Sequence, residues 1–208
     1  MTTSDSLPLV AILRGVTPDD VLVHMAELYR AGFTQVEIPL NSPNWQQSIV
    51  LAVKHYGDRM RIGAGTVTTP REVAILKEAG CEFILTPNTD ISVIKAATSA
   101  GMATCIGCLT ASEALTALRH GASMLKIFPA GDVGPGYIRS LRAILPSNTR
   151  LYAVGGITAT NLADYLRAGC EGAGLGSDLY RAEQSQAETA EKAQRFIHAW
   201  RAWRAWQA

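Results

Sequence analysis

Lys126 lies inside the apolar run Met124-Leu125-Lys126-Ile127-Phe128-Pro129, which reads as a buried strand. An ammonium group there loses most of its hydration, which is costly unless the charge is paired or removed. The chemistry such a lysine serves best is nucleophilic: an amine of depressed pKa that forms a Schiff base with a carbonyl substrate. Lys54, Lys77, Lys95 and Lys192 fall instead in segments that read as amphipathic helices. Two more charges share the oddity of Lys126. Glu37 sits in Val36-Glu37-Ile38-Pro39-Leu40, and Arg14 ends the run Leu9–Arg14. Either alone is more often an edge or surface residue. Three charges in apolar strands of one fold make a site, because each needs a partner in a dry interior.

Such residues are far apart in sequence, so rigid elements must bring them together. The chain alternates strand-like and helix-like segments. The apolar runs are Leu9–Arg14, Gln35–Leu40, Arg61–Val67, Glu82–Pro87, Ala103–Leu109, Met124–Pro129, Arg150–Val154 and Gly172–Gly176. Between them the apolar positions recur with the helical period. Ala31-Gly32, Ala79-Gly80, Ala100-Gly101, His120-Gly121 and Ala168-Gly169 read as left-handed helix ends. Thr17-Pro18-Asp19, Ser42-Pro43, Thr69-Pro70-Arg71-Glu72, Ser112-Glu113 and Thr158 to Asn161 read as helix starts. Eight strands, each followed by a helix, predict the α/β class and a single closed (β/α)8 TIM barrel. Residues 1–208 are read as one barrel domain with a C-terminal helix. An open doubly wound sheet is the rival, but Arg14-Gly15-Val16-Thr17 is not the glycine-rich turn expected after its first strand.

In a parallel barrel the site is built from the C-terminal strand ends and the loops after them. Those ends carry Arg14, Glu37, Gly63-Ala64-Gly65-Thr66-Val67, Thr86-Pro87-Asn88, Lys126, Val154-Gly155-Gly156 and Gly174-Leu175-Gly176-Ser177-Asp178. Glycines after both the seventh and the eighth strand let backbone N–H groups approach an anion, and Ser177 adds a hydroxyl donor. This predicts a phosphate site, with a plain tight turn as the alternative.

Other readings are weaker. Cys105 and Cys108 form a C-x-x-C, but residues three apart on a strand point to opposite faces. A disulfide or shared metal is therefore not expected, and Cys81 and Cys170 read as core residues. His24, His55, His120 and His198 all fall on helices or their ends, away from the barrel mouth, so no metal is expected. With 19 basic and 18 acidic residues there is no electrostatic case for nucleic acid or a membrane surface. No apolar stretch approaches the roughly 20 residues of a membrane helix. Met1 to Asp5 lacks the pattern of a secretory leader, so the expected location is the cytoplasm. Trp200, Trp203 and Trp206 stand three apart beyond Phe196. That stripe is expected to pack on the outside of the barrel or to seal a subunit contact.

The runs around Glu37, Thr66, Pro87, Lys126, Val154 and Ser177, from Leu7 to Tyr180, resemble the KDPG/KHG aldolase family in order and spacing. The resemblance implies a class I aldolase on a (β/α)8 barrel, without metal or other cofactor, acting on a phosphorylated keto-acid as a homotrimer. It makes Lys126 the Schiff-base lysine and Glu37 the acid/base residue. It assigns Arg14 and Thr66 to the substrate carboxylate and Gly155, Gly156, Gly176 and Ser177 to the phosphate, with Pro87 shaping the site. The gluconate branch has Thr-Gly-Gly after its seventh strand and Thr-Leu-Arg after its strand-two Glu. Here Val154-Gly155-Gly156 and Pro39-Leu40-Asn41 stand instead, similar to the branch that cleaves the 6-phosphogalactonate epimer. Three rivals stay open: a KDPG or 4-hydroxy-2-oxoglutarate aldolase, a phospho-sugar epimerase, and a non-catalytic phospho-sugar binding protein.

Overall fold

The computed structural model describes residues 7–207, so the stretch Met1–Asp5 lies outside the described residues. Eight parallel strands close a barrel in chain order: β1 (Leu9–Ile12), β2 (Gln35–Pro39), β3 (Arg61–Gly65), β4 (Phe83–Leu85), β5 (Ala103–Cys108), β6 (Met124–Ile127), β7 (Leu151–Val154) and β8 (Gly172–Leu175). β8 pairs back onto β1 through Leu9↔Ala173, Val10↔Gly174 and Ala11↔Leu175, which removes both sheet edges and excludes the open sheet. The helices are α1 (Val21–Ala31), α2 (Trp45–Tyr56), α3 (Pro70–Glu78), α4 (Ile91–Ser99), α5 (Ala111–Arg119), α6 (Ala130–Arg142), α7 (Leu162–Arg167) and α8 (Gln186–Gln207). This is the (β/α)8 barrel the strand count predicts.

The strands stop one to two residues before most of the apolar runs do. Arg14, Thr66 and Pro87 therefore lie on loops past β1, β3 and β4, not within strands. The reason is that apolar character marks burial, not ladder pairing. Leu13 and Val67 are fully buried although neither belongs to a strand.

Helix boundaries follow local chemistry. Thr69 and Glu72 form a reciprocal cap with Pro70 at the first helical position, as predicted. At α5 the cap is Thr110 with Glu113, two residues before the predicted Ser112. α2 starts after Asn44, a left-handed residue at φ 47°, rather than at Ser42-Pro43. The five predicted glycine ends all adopt positive φ, as at Gly32 (φ 107°), where the left-handed turn closes α1. α6 is broken at Gly134 (φ 75°), just before Pro135.

The strand period of two divides the core into compartments. Val10, Phe83, Leu85, Cys105, Met124 and Tyr152 fill the barrel interior. Their neighbours in sequence, such as Leu9, Ala11, Ile84, Ile106, Leu125 and Ala153, pack outward against the helices. Cys105 faces in and Cys108 faces out, so the C-x-x-C is two separate free thiols, each pushed up to about 12 by burial. α8 crosses the outside of α1 and α7. Phe196 and Ile197 are buried there, Trp200 and Trp203 pack over them with ring centroids 5.1 Å apart, and Trp206 is exposed with Arg167 over its ring.

Candidate active site

Lys126 occupies the third position of β6, opposite Gly107 of β5 and Tyr152 of β7. Met124 two residues earlier faces the barrel interior, so period two points Lys126 inward as well. Its side chain is buried, and desolvation holds its pKa below the ordinary lysine value, against the opposing pull of Glu37. Lys54, Lys77 and Lys95 are exposed on α2, α3 and α4. Lys192 is paired with Glu188 at 2.6 Å on α8. The anomaly read from sequence is thus a real one in space.

Glu37, at the third position of β2, is only 2% exposed. Burial raises its pKa to about 7, against the lowering influence of Lys126 and then Arg14. Its Oε2 has no hydrogen-bond partner. The room for this carboxyl group comes from β3, because a Cβ on Gly65 would collide with it. Among the described residues no ion pair within 4.0 Å joins Glu37 to Lys126, so each still needs a partner. An amine whose pKa burial lowers, in one barrel interior with a carboxyl group that titrates near 7, can serve as a nucleophile with a proton carrier.

Above this pair opens a cavity of about 590 Å³. It brings together Arg14, Thr66, Pro87, Val154, Gly155, Gly176 and Ser177, seven of the ten residues singled out from sequence. A second cavity of about 270 Å³ runs along the glycine loops and adds Gly156. Glu37 and Lys126 line neither cavity; both lie on strands, buried in the barrel.

The two sides of the mouth are built differently. Arg14 is exposed on the loop after β1 and donates from Nη1 to Asn41 Oδ1 at 2.6 Å and to Thr66 Oγ1 at 3.4 Å. Thr66 sits at φ 59°, a left-handed conformation that costs a β-branched residue about 1–3 kcal/mol and is stored where function needs it. Ser42 Oγ accepts the N–H of Gly15 at 2.9 Å. Asn41 and Ser42 therefore brace the Arg14 loop. On the opposite side Gly155 and Gly156 both adopt positive φ (88° and 72°), a succession that glycine alone takes up freely. Asn161 ties this turn down, donating from Nδ2 to Gly156 O at 2.9 Å and accepting from the N–H of Thr158 at 2.8 Å. Between the sides, Thr86 Oγ1 accepts the N–H of Gly107 and donates to Asn88 O, which fixes Pro87 at the rim. Val154, at the end of β7, presents two methyl groups over Gly174 and no hydroxyl.

Sequence reasoning missed Phe128, Tyr180 and Arg181, all in the mouth. Phe128 was read as part of a buried strand. It lies past β6, is 40% exposed, and holds its ring centroid 4.8 Å from Lys126 Nζ. Its spacing of two from Lys126 was the available signal. Arg181 belongs to an irregular segment with no periodicity to read. The four histidines lie on α1, α2, α8 and the end of α5, and among the described residues none lines either mouth cavity.

Comparison with known proteins agrees with this geometry. Residues 2–196 match the family described as KDPG and KHG aldolase. The chain is 55% identical over 192 residues to the 2-dehydro-3-deoxy-6-phosphogalactonate aldolase of Escherichia coli K12, covering 92% of this chain and 94% of that protein. It is 33% identical to the 2-dehydro-3-deoxy-phosphogluconate aldolase of Pseudomonas aeruginosa, over 77% of this chain and 71% of that one. A solved structure described as native KDPGal superposes with a TM-score of 0.96 at 53% identity, covering 99% of this chain and 100% of that one. The chain belongs to the KDPG and KHG aldolase family, and the protein is an aldolase, a carbon–carbon lyase.

Proposed function

We propose that this aldolase cleaves 2-dehydro-3-deoxy-6-phospho-D-galactonate to pyruvate and D-glyceraldehyde 3-phosphate through a Schiff base on Lys126. The observation that carries the mechanism is the buried pair: a desolvated amine on β6 and a carboxyl group of pKa about 7 on β2 under one open mouth. Neutral Lys126 attacks the C2 ketone, and Glu37 gives its proton to the departing hydroxyl, which leaves as water; this yields an iminium and a Glu37 carboxylate. Glu37 accepts the C4 hydroxyl proton, the C3–C4 bond breaks, and its electron pair passes to the iminium to form an enamine. Glyceraldehyde 3-phosphate departs. Glu37 returns the proton to C3, and hydrolysis of the iminium releases pyruvate and the free lysine. Arg14, steadied by Asn41 and Thr66, forks onto the substrate carboxylate. Gly155, Gly156, Gly176 and Ser177 take the phosphate, whose remote binding energy orients the bond to be cut. Pro87 and Phe128 wall the ketone.

The galacto preference rests on Val154, which offers no hydroxyl to the C4 oxygen, and on the 55% identity to the Escherichia coli enzyme of that name. We take residues 1–208 as one barrel unit that works in the cytoplasm as a homotrimer. Two observations support this. No helix among the described residues is long and apolar enough to cross a membrane. A designed porous protein cage, made by fusing symmetric oligomeric domains, is 54% identical over 97% of this chain. Borohydride reduction in the presence of pyruvate tests the mechanism, with one stable adduct expected at Lys126. Full activity in Lys126→Ala would sink it. Cleavage of the two C4 epimers tests the branch, and a wild-type enzyme that ignores the galacto epimer overturns that part.

A further inference from the structure

The smaller cavity beside the glycine loops poses an electrostatic problem. Among the described residues its only acidic lining residue is Asp178, which follows Ser177 directly. A phosphate dianion entering there meets one carboxylate, and glycine N–H groups and hydroxyls alone must overcome the repulsion. Among the described residues Arg181 is the one cation lining this cavity, and it also lines the larger mouth. It comes from the turn after β8, next to the loop of Arg14: a Cβ on Gly15 would stand 3.1 Å from Ala182 Cβ. The two guanidinium groups diverge from this shared edge. Arg14 reaches Asn41 and Thr66, on the carboxylate side. Arg181 donates from Nε to Ser177 O at 3.0 Å, on the glycine-loop side. Among the described residues that is the only hydrogen bond its guanidinium makes, and it forms no ion pair, so its other N–H groups face ligand or water.

The segment carrying Arg181 is held from behind. The Arg181 N–H donates to Gln184 Oε1 at 3.2 Å, and Gln184 Nε2 donates to Leu179 O at 2.9 Å and to Thr189 Oγ1 of α8 at 2.6 Å. Tyr180 is buried with its ring 4.8 Å from that of His24 on α1. A flexible surface arginine would not need this bracing; one that must meet an anion at a fixed place does.

We propose that Arg181 is a second anion-binding residue of the site, pairing with the substrate phosphate from the β8 side and setting the preference for phosphorylated over unphosphorylated keto-acids. The proposal rests on the aldolase reading for its substrate, but its binding test does not. Two measurements separate them. Inorganic phosphate binding by calorimetry, in wild type and Arg181→Gln, reads the site without turnover. Cleavage of the 6-phosphorylated keto-acid and its unphosphorylated counterpart reads the preference. We expect Arg181→Gln to weaken phosphate binding about 10-fold and to lower kcat/KM for the phosphorylated substrate about 10- to 100-fold, mainly through KM. The ratio between the two substrates falls with it, and Arg181→Lys restores part of both. Unchanged phosphate affinity, or equal losses on both substrates, overturns the proposal. If pyruvate and borohydride leave no adduct on wild type while phosphate binding still depends on Arg181, the anion site stands and the Schiff-base reading falls.

Discussion

The two ends of one barrel interior obey opposite rules. Toward the floor, Phe83, Met124 and Tyr152 belong to one packed cluster, and glycine is used only to make room: a Cβ on Gly63 would strike the Phe83 ring, and one on Gly172 would meet Pro8 O and Tyr152. Every large group there has a fitted neighbour. Toward the mouth, β6 carries a desolvated lysine, β2 a carboxyl group with an unpartnered oxygen, and the loop past β3 a threonine in a left-handed conformation. Nothing in the strand order distinguishes the ends. The difference shows that the floor spends its residues on packing, while the mouth keeps charges unsatisfied for a substrate to complete.

The comparison breaks hardest at Lys126. Lys126→Met is expected to lower turnover about 10⁴-fold or more, because the route loses its nucleophile. The same change should raise stability by about 1 kcal/mol in urea unfolding at pH 6. The sign follows from the depressed pKa. Below pH 10.5 the unfolded lysine binds a proton more readily than the folded one, so the native lysine costs stability as pH falls. At pH 6 Glu37 is protonated and is not left as an orphan charge. A loss of stability together with activity would mean that the mouth is packed like the floor.

Phe83→Ala is the converse. Removing a fully buried ring from the floor should cost about 3–5 kcal/mol in the same unfolding experiment. The folded fraction should still trap pyruvate on Lys126. Loss of trapping in protein shown to be folded would mean that the two ends are not separable.

Glu37→Gln sharpens the pH behaviour, with an expected fall in kcat of about 10²–10³-fold. The folded carboxyl group titrates near 7 and the unfolded one near 4.5, so between these values the native state holds the extra proton. Wild-type stability therefore falls as pH rises through that window, and Glu37→Gln should flatten the slope. An unchanged stability–pH profile removes the burial argument. The smallest effect is at Val154. Val154→Thr restores a hydroxyl in the mouth and should shift the ratio of the two C4 epimers toward the gluco form by about 3- to 10-fold, the worth of one hydrogen bond. An epimer ratio that does not move places selectivity elsewhere in the mouth.

Much of this site could be read from the chain because period two is strict. Lys126 among apolar neighbours, Glu37 in Val36–Leu40 and the glycines after β7 and β8 all stand at positions where residue type conflicts with a strand, and barrel strands have few ways to resolve that conflict. Arg14 was read as a strand end and lies on an exposed loop, since an apolar run continues wherever the chain stays buried. Asn41 and Ser42 could not be assigned. Their contacts cross from the β2 loop to the β1 loop, and sequence does not encode a distance between loops.

By itself the sequence determined the strand count, the barrel and the two buried titrating groups, because alternation and helix capping act over a few residues and survive without tertiary context. Tertiary structure decided the rest. Closing β8 onto β1 brought the Arg14 and Arg181 segments side by side, and pairing β2 with β3 put Gly65 behind the Glu37 carboxyl group. Those relations join residues dozens of positions apart, and their energies come from excluded volume and lost hydration, which exist only once the barrel is closed.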